Sequence, residues 1–200
     1  MKRLIATLFA LFFFASTSQA STDPKQTVES ATFGVINELQ ALKVEDRTPE
    51  QVRRLVETYI LPAIDQQRIA KLALGKHWKK ANKEQRQAFV DTFRDLQIRT
   101  YTGAFKAFNG QAFTFKDAKF NKSGKKAVVK GEMKQPNGQT IPIDFRLYVA
   151  KDQQWRIYDA VIAGLGMVKT YRQQLSQQLQ NSDLDAVIAQ MNGEIQTAQR

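Results

Sequence analysis

Between about residues 112 and 162 the apolar side chains recur every second position, and on either side of that stretch every three or four. In "AVVKGEM", Ala127, Val129, Gly131 and Met133 share one face, and Lys126, Lys130, Glu132 and Lys134 take the other. In "TIPIDFRLYV", Ile141, Ile143, Phe145, Leu147 and Val149 alternate with Thr140, Pro142, Asp144, Arg146 and Tyr148. A period of two with one wet face specifies antiparallel strands covered on one side only. Asn121-Lys122-Ser123-Gly124, Gln135-Pro136-Asn137-Gly138 and Lys151-Asp152-Gln153-Gln154 are turn sequences between such strands. About four strands are therefore expected, following one another as a meander.

The flanking segments are helical. Over about 23–109, Asp23-Pro24 is a cap followed by proline at the first helical position. Val28, Ala31, Val35, Leu39 and Leu42 then follow at helical spacing. Thr48-Pro49-Glu50-Gln51 reads as a capping box opening a helix that Pro62 stops. Asp65 caps a shorter helix ending near Gly75, and Asn82 opens the longest one, with Phe89, Phe93, Leu96, Thr100 and Tyr101 on or near its buried side. Helix returns over about 165–198, with a second start at Ser182-Asp183. The class is α+β, with the helices covering the apolar face of the sheet.

The first twenty residues are set apart from this domain. Lys2 and Arg3 precede the apolar run "LIATLFALFFFA", and Ser18-Gln19-Ala20 places small residues where a signal peptidase reads. Twelve apolar residues fall short of the about 20 that span a bilayer. The expectation is a signal peptide over 1–20 and one exported domain over 21–200. The chain has no cysteine, so an oxidising compartment supplies it no disulfide. Its formal charge is +11. Export argues against nucleic acid and favours anionic membrane surfaces or acidic proteins as partners.

Dedicated chemistry is scarce. "WRIYDAVIAGLGMVKTYRQQL", Trp155 to Leu175, runs strand, glycine turn, helix, as phosphate sites do. A dinucleotide loop needs a third glycine where Lys169 stands, and a P-loop needs glycine where Val168 stands. His77 is the sole histidine and lies among lysines, which leaves no multi-histidine metal site. Asp159 is the one carboxylate in a strongly apolar strand. It fits a general base, or a structural carboxylate satisfied by backbone amides and a basic neighbour.

That same stretch resembles the signature of the MlaC-type periplasmic phospholipid-binding proteins, the toluene-tolerance family, through Trp155, Arg156, Tyr158, Asp159, Gly164, Tyr171, Arg172 and Leu175. A second stretch is similar through Pro62, Asp65, Leu74, Gly75, Trp78, Gln85, Arg86, Phe89, Thr100 and Tyr101. Ala163 and Gly166 depart from the pattern, which has Glu and Ser there. The resemblance implies a monomeric periplasmic carrier that holds phospholipid acyl chains between sheet and helices and needs no cofactor. Its implied partners are an outer-membrane lipoprotein–porin complex and an inner-membrane MCE-type ABC complex, and its implied role is outer-membrane lipid asymmetry. Within that frame the expected lipid-binding residues are Tyr101, Phe105, Phe145, Leu147, Trp155, Ile157, Val161, Leu165, Met167, Val168 and Tyr171. A chaperone for apolar polypeptide segments, or an enzyme with Asp159 as base, would present a similar apolar surface.

Overall fold

The computed structural model describes residues 23–197, so the leader expected over 1–20 lies outside the described residues. Helix α1 (Pro24–Ala41) starts where Asp23 caps it, its carboxylate accepting the Lys25 N–H at 2.9 Å. Helix α2 (Pro49–Leu55) starts at Thr48, whose hydroxyl accepts the Gln51 N–H at 3.2 Å. Gln51 turns its own side chain to Arg54 instead of completing the box. Pro62 does not end this helix cleanly. The turn before it widens into a π turn over Val56–Ile60 and then tightens over Leu61–Ala63. The proline ring crowds the carbonyl four residues back, which loosens the preceding turn.

Helix α3 (Gln66–Leu74) is capped by Asp65 and ends at Gly75, whose φ of 57° only glycine adopts freely. A short α4 (His77–Lys80) leads to α5 (Lys83–Lys106). Asn82 and Gln85 form the full capping box at its start, with reciprocal bonds of 2.8 and 3.1 Å.

Six antiparallel strands follow: β1 (Ala112–Phe115), β2 (Lys119–Phe120), β3 (Lys126–Lys134), β4 (Thr140–Val149), β5 (Trp155–Ile162) and β6 (Leu165–Gly166). Their order is β1-β3-β4-β5-β6, with β2 also on β3. The four expected strands are β1, β3, β4 and β5. The two additional ones are two-residue pieces too short to show a period: β2 continues the β1 edge along β3, and β6 folds back on the end of β5. Because Leu165 and Gly166 pair with Ile162 and Val161, α6 (Met167–Asn181) starts at Met167 and not at 165. Asp183 caps α7 (Leu184–Thr197), accepting the Ala186 N–H at 2.8 Å.

The β5–β6 turn has both central residues at positive φ, Ala163 at 49° and Gly164 at 82°. This matches a two-residue hairpin, which asks for glycine or asparagine at both positions. Ala163 bears the left-handed strain. Ala163→Gly is expected to raise stability by about 0.5–1 kcal/mol in chemical denaturation. An unchanged or lower midpoint would show that the turn carries no strain.

Burial follows the expected faces except at Thr100, which is exposed and turns its hydroxyl to the Leu96 carbonyl. Val28 of α1 packs on Ala127, Val129, Leu147, Trp155 and Ile157. A helical core gathers around the stacked Phe89 and Phe93 rings, 5.3 Å apart, together with α6 and α7. A third cluster joins Val35, Ile36 and Leu39 of α1 to Leu55 and Phe108. Arg47, only 7 % exposed, ties this cluster together. Its guanidinium donates to the carbonyls of Phe108 and of Leu39, the latter at 2.8 Å, and so joins the end of α1 to the end of α5. Carbonyls replace water at its two terminal nitrogens, while its Nε is buried without a hydrogen-bond partner.

Candidate functional site

The core is not filled throughout. A cavity of about 550 Å³ lies between the inner face of the sheet, α1, the last turns of α5 and the start of α6. Phe113, Met133, Phe145, Ile157, Ala160 and Ile162 form its sheet wall, and Val35, Ile36 and Leu39 face them from α1. Ala104, Phe105 and Phe108 close it on the α5 side, and Met167, Val168 and Tyr171 on the α6 side. The lining is overwhelmingly apolar. Its polar members include Thr32, Gln97, Gln111, Gln135 and Asp159. Gln111 Nε2 donates to Gln135 Oε1 at 3.2 Å, linking the approach to β1 with the β3–β4 turn.

A bulge in β5 sets which residues reach this space. Arg146 pairs with Asp159 and Leu147 with Ile157, which makes Tyr158 an extra residue. Past it the inward phase shifts, so that Ala160 pairs with Phe145 and Ile162 with Ile143. Asp159 is buried beside the start of α6. Its Oδ1 accepts the Val168 N–H at 3.0 Å, and its Oδ2 meets Arg146 Nη1 at 3.0 Å. The helix cap Gly166 has no side chain, so Asp159 supplies the acceptor from the sheet. One oxygen holds the start of α6 to β5, and the other meets Arg146 of the neighbouring β4. This is the structural arm of the two readings given for this carboxylate.

A profile of the MlaC protein family matches residues 29–193. The chain belongs to the MlaC family. It is 26% identical over 197 residues to the toluene tolerance protein ttg2D of Pseudomonas putida, covering 96% of this chain and 91% of that one. It is 23% identical over 191 residues to the intermembrane phospholipid transport system binding protein MlaC of Haemophilus influenzae, covering 94% and 89%. Its fold is similar to that of a phospholipid-binding protein from Ralstonia solanacearum solved in complex with a phospholipid. The TM-score is 0.80 at 25% identity, over 89% of this chain and 99% of that one.

In this MlaC-family chain, Phe105, Phe145, Ile157, Met167, Val168 and Tyr171 of the expected site residues line the cavity. Tyr101 lies on α5, with its side chain outside the described set. Four others are placed elsewhere. Leu147 and Trp155 have the right face but the wrong end of the sheet, where Val28 fills the space against them. Val161 pairs with Asp144 on the wet face, because the Tyr158 bulge reverses the alternation. Leu165 stands 68 % exposed on β6, held out of the cavity by the tight turn before it.

The sequence reading missed the α1 wall and the glutamines. The α1 stripe announced burial, yet one helix serves two clusters, Val28 in the sheet core and Val35 and Leu39 at the cavity. The volume lies mid-range for ligand sites, which run from about 300 to 1,000 Å³. Tyr171 separates the cavity from a crevice of about 290 Å³ between α5, α6 and α7 that is lined with Gln174, Gln177 and Gln178. The Tyr171 ring packs edge-on against Phe93 at 4.9 Å.

His77 lies outside the cavity lining, and its Nε2 is buried without a hydrogen-bond partner. Burial, reinforced by Lys76 and Lys80, lowers its pKa below the ordinary 6.5. Below pH 6.5 the unfolded chain thus binds more protons than the folded one at this site. Stability is lost as pH falls from 6.5 through the folded value. His77→Gln is expected to remove this part of the slope. Urea midpoints of both proteins at neutral and mildly acid pH check it, and equal acid sensitivity of the two would refute it.

Proposed function

We propose that this chain is a soluble periplasmic phospholipid carrier, exported by a leader over 1–20 and folded as one domain over 21–200. The cavity takes acyl chains while the headgroup stays at the glutamine-bearing mouth. The carrier exchanges lipid with an outer-membrane lipoprotein–porin complex and an inner-membrane MCE-type ABC complex, and so maintains outer-membrane lipid asymmetry. No described helix is long and apolar enough to cross a membrane, in keeping with this reading.

The observation that carries the reading is the apolar cavity left open in an otherwise packed α+β core. Each methylene moved out of water is worth about 0.8 kcal/mol. Acyl chains therefore cross an aqueous compartment far faster inside a wall of Phe, Ile, Val and Met than alone. Such a wall is about as apolar as a bilayer, which makes loading and unloading nearly neutral, so direction has to come from the partners. The ligand of the Ralstonia relative and the transport system of the Haemophilus relative support the same reading.

The test is organic extraction of the detergent-free mature protein followed by mass spectrometry. Phospholipid in stoichiometric amount is expected. A clean extract from folded protein that also takes up nothing from liposomes would sink the carrier reading and promote the chaperone or enzyme.

A further inference from the structure

The topology gathers several chain segments at one end of the molecule. β3 runs toward the turn at 135–138 and β4 runs back from it, and Ile143 of β4 pairs with Ile162 at the end of β5. The Ala163-Gly164 turn therefore stands at the same end as the β3–β4 turn. β1 begins there too, Ala112 opposite Lys134, directly after the end of α5. Gln111, Gln135, Ile162 and Met167 all line the cavity from these segments, so this end borders the cavity and is taken as its mouth.

The mouth has an unusual surface. Leu165 is two-thirds exposed, yet it is fixed in a paired strand after a tight turn, so its side chain is presented to solvent in a set position. Segments 103–111, 133–142 and 161–170 contain Lys106, Lys134 and Lys169 and no Asp or Glu. All three lysines are exposed, and none is in an ion pair among the described residues. Glu45 and Asp46 are exposed in the loop after α1, which Arg47 ties to the end of α5, so the cations belong to the three segments nearest the sheet. A protruding apolar side chain with lysines outside any ion pair on its own and neighbouring segments is the pattern of a surface that docks at an anionic lipid interface.

We propose that the mouth docks directly on an anionic phospholipid bilayer, Leu165 entering the acyl region while Lys106, Lys134 and Lys169 meet headgroup phosphates. This rests on the carrier reading and adds to it a second surface, outside the cavity lining, that meets lipid still in the membrane. The cavity entrance then faces the bilayer, and a chain passes from one apolar medium to the other without crossing water.

The experiment is co-sedimentation of the mature protein with vesicles of phosphatidylglycerol and phosphatidylcholine at low ionic strength, with phosphatidylcholine vesicles beside them. Wild-type protein is expected to bind the anionic vesicles and to release with salt. Lys106→Glu, Lys134→Glu and Lys169→Glu together should weaken binding about a hundredfold or more, at about a fivefold loss per cation removed. Leu165→Asp alone should weaken it about tenfold. The control reverses Lys122, Lys125 and Lys151 to Glu, the same change of charge at the opposite end of the sheet, and should cost less than about threefold. Equal losses from the two triples, or no binding by wild-type protein, overturn the docking inference. So does intact vesicle binding by rim variants that fail to exchange lipid with protein-containing membranes, since the rim then meets a protein. Extracted lipid is measured in every variant. Protein that carries phospholipid but does not dock ends this inference alone, and protein that carries none ends the carrier reading.

Discussion

Ala160→Trp is expected to strip the protein of phospholipid while leaving it folded. Ala160 pairs with Phe145 beyond the β5 bulge and lines the cavity. An indole placed there projects into the space that acyl chains are proposed to occupy. Overpacking a filled core costs about 1–3 kcal/mol because neighbours must move. Here the neighbour is empty volume, so the cost should stay below about 1 kcal/mol, a Tm shift of about 2–4 °C at this size. Extracted phospholipid per protein should fall at least about tenfold by mass spectrometry. Leu147→Ala is the contrasting change. Leu147 is fully buried in the sheet core and away from the cavity, so its truncation should cost about 2–5 kcal/mol and leave the lipid load of the folded fraction intact. A folded Ala160→Trp protein with a full lipid load would place the chains elsewhere.

The contrast between these two residues shows where sequence reading ends. Alternation assigned Phe145 and Leu147 to the same face, and they do share it. Period alone does not say which part of a face a helix covers. Val28 covers Leu147, while α1 stands off from Phe145 to leave the cavity. Caps were legible because they rest on a few adjacent residues: Asp23, Asp65 and the Asn82–Gln85 pair act as their types and spacing require. The Tyr158 bulge was not, because nothing local in "WRIYDAVI" marks an extra residue, and the expected lipid-binding set therefore includes Val161, which pairs with Asp144. Arg47 was equally silent. Its role depends on carbonyls 8 and 61 residues away, a relation that exists only once α1 and α5 have met.

These long-range ties explain why a cavity survives in a domain that could otherwise collapse. Arg47 joins the ends of α1 and α5 on one side of the mouth. On the sheet's outer side, the Tyr148 phenol donates to Asp65, and the Arg68 guanidinium lies 3.8 Å from the centre of the Tyr148 ring. Burial first, and then the Asp65 carboxylate, hold that phenol above its ordinary pKa, so it remains a donor. Asp65 N–H also donates to the Ile157 carbonyl at 2.9 Å, which fixes α3 to the edge of β5. Helices anchored at their ends by polar contacts need not be drawn in along their lengths, and the apolar surface between them stays available.

Asp159 is the anchor on the α6 side, and its removal is expected to give the largest loss of stability among the polar residues of the site. Asp159→Ala leaves the buried Val168 N–H without an acceptor at the start of α6, where Gly166 offers none. An orphaned buried donor formerly bonded to a charged group costs about 2–3 kcal/mol. Asp159→Asn retains an acceptor and loses the charge, and should cost about half as much. Arg146→Ala should cost less than about 1 kcal/mol, because Arg146 is half exposed and its pairing is screened. The order Asp159→Ala, Asp159→Asn, Arg146→Ala in urea midpoints tests the assignment, and equal losses from the first and third would move the weight to the ion pair. The same series, with a rate measured beside it, separates carrier from enzyme. Asp159 bonds the start of α6 with one oxygen and an arginine with the other, a structural role that Asn largely preserves, so folded Asp159→Asn should keep its full phospholipid load. The lipid load alone does not divide the two readings: a general base at this position would show its loss in a substrate-dependent rate, and a carrier has no such rate to lose.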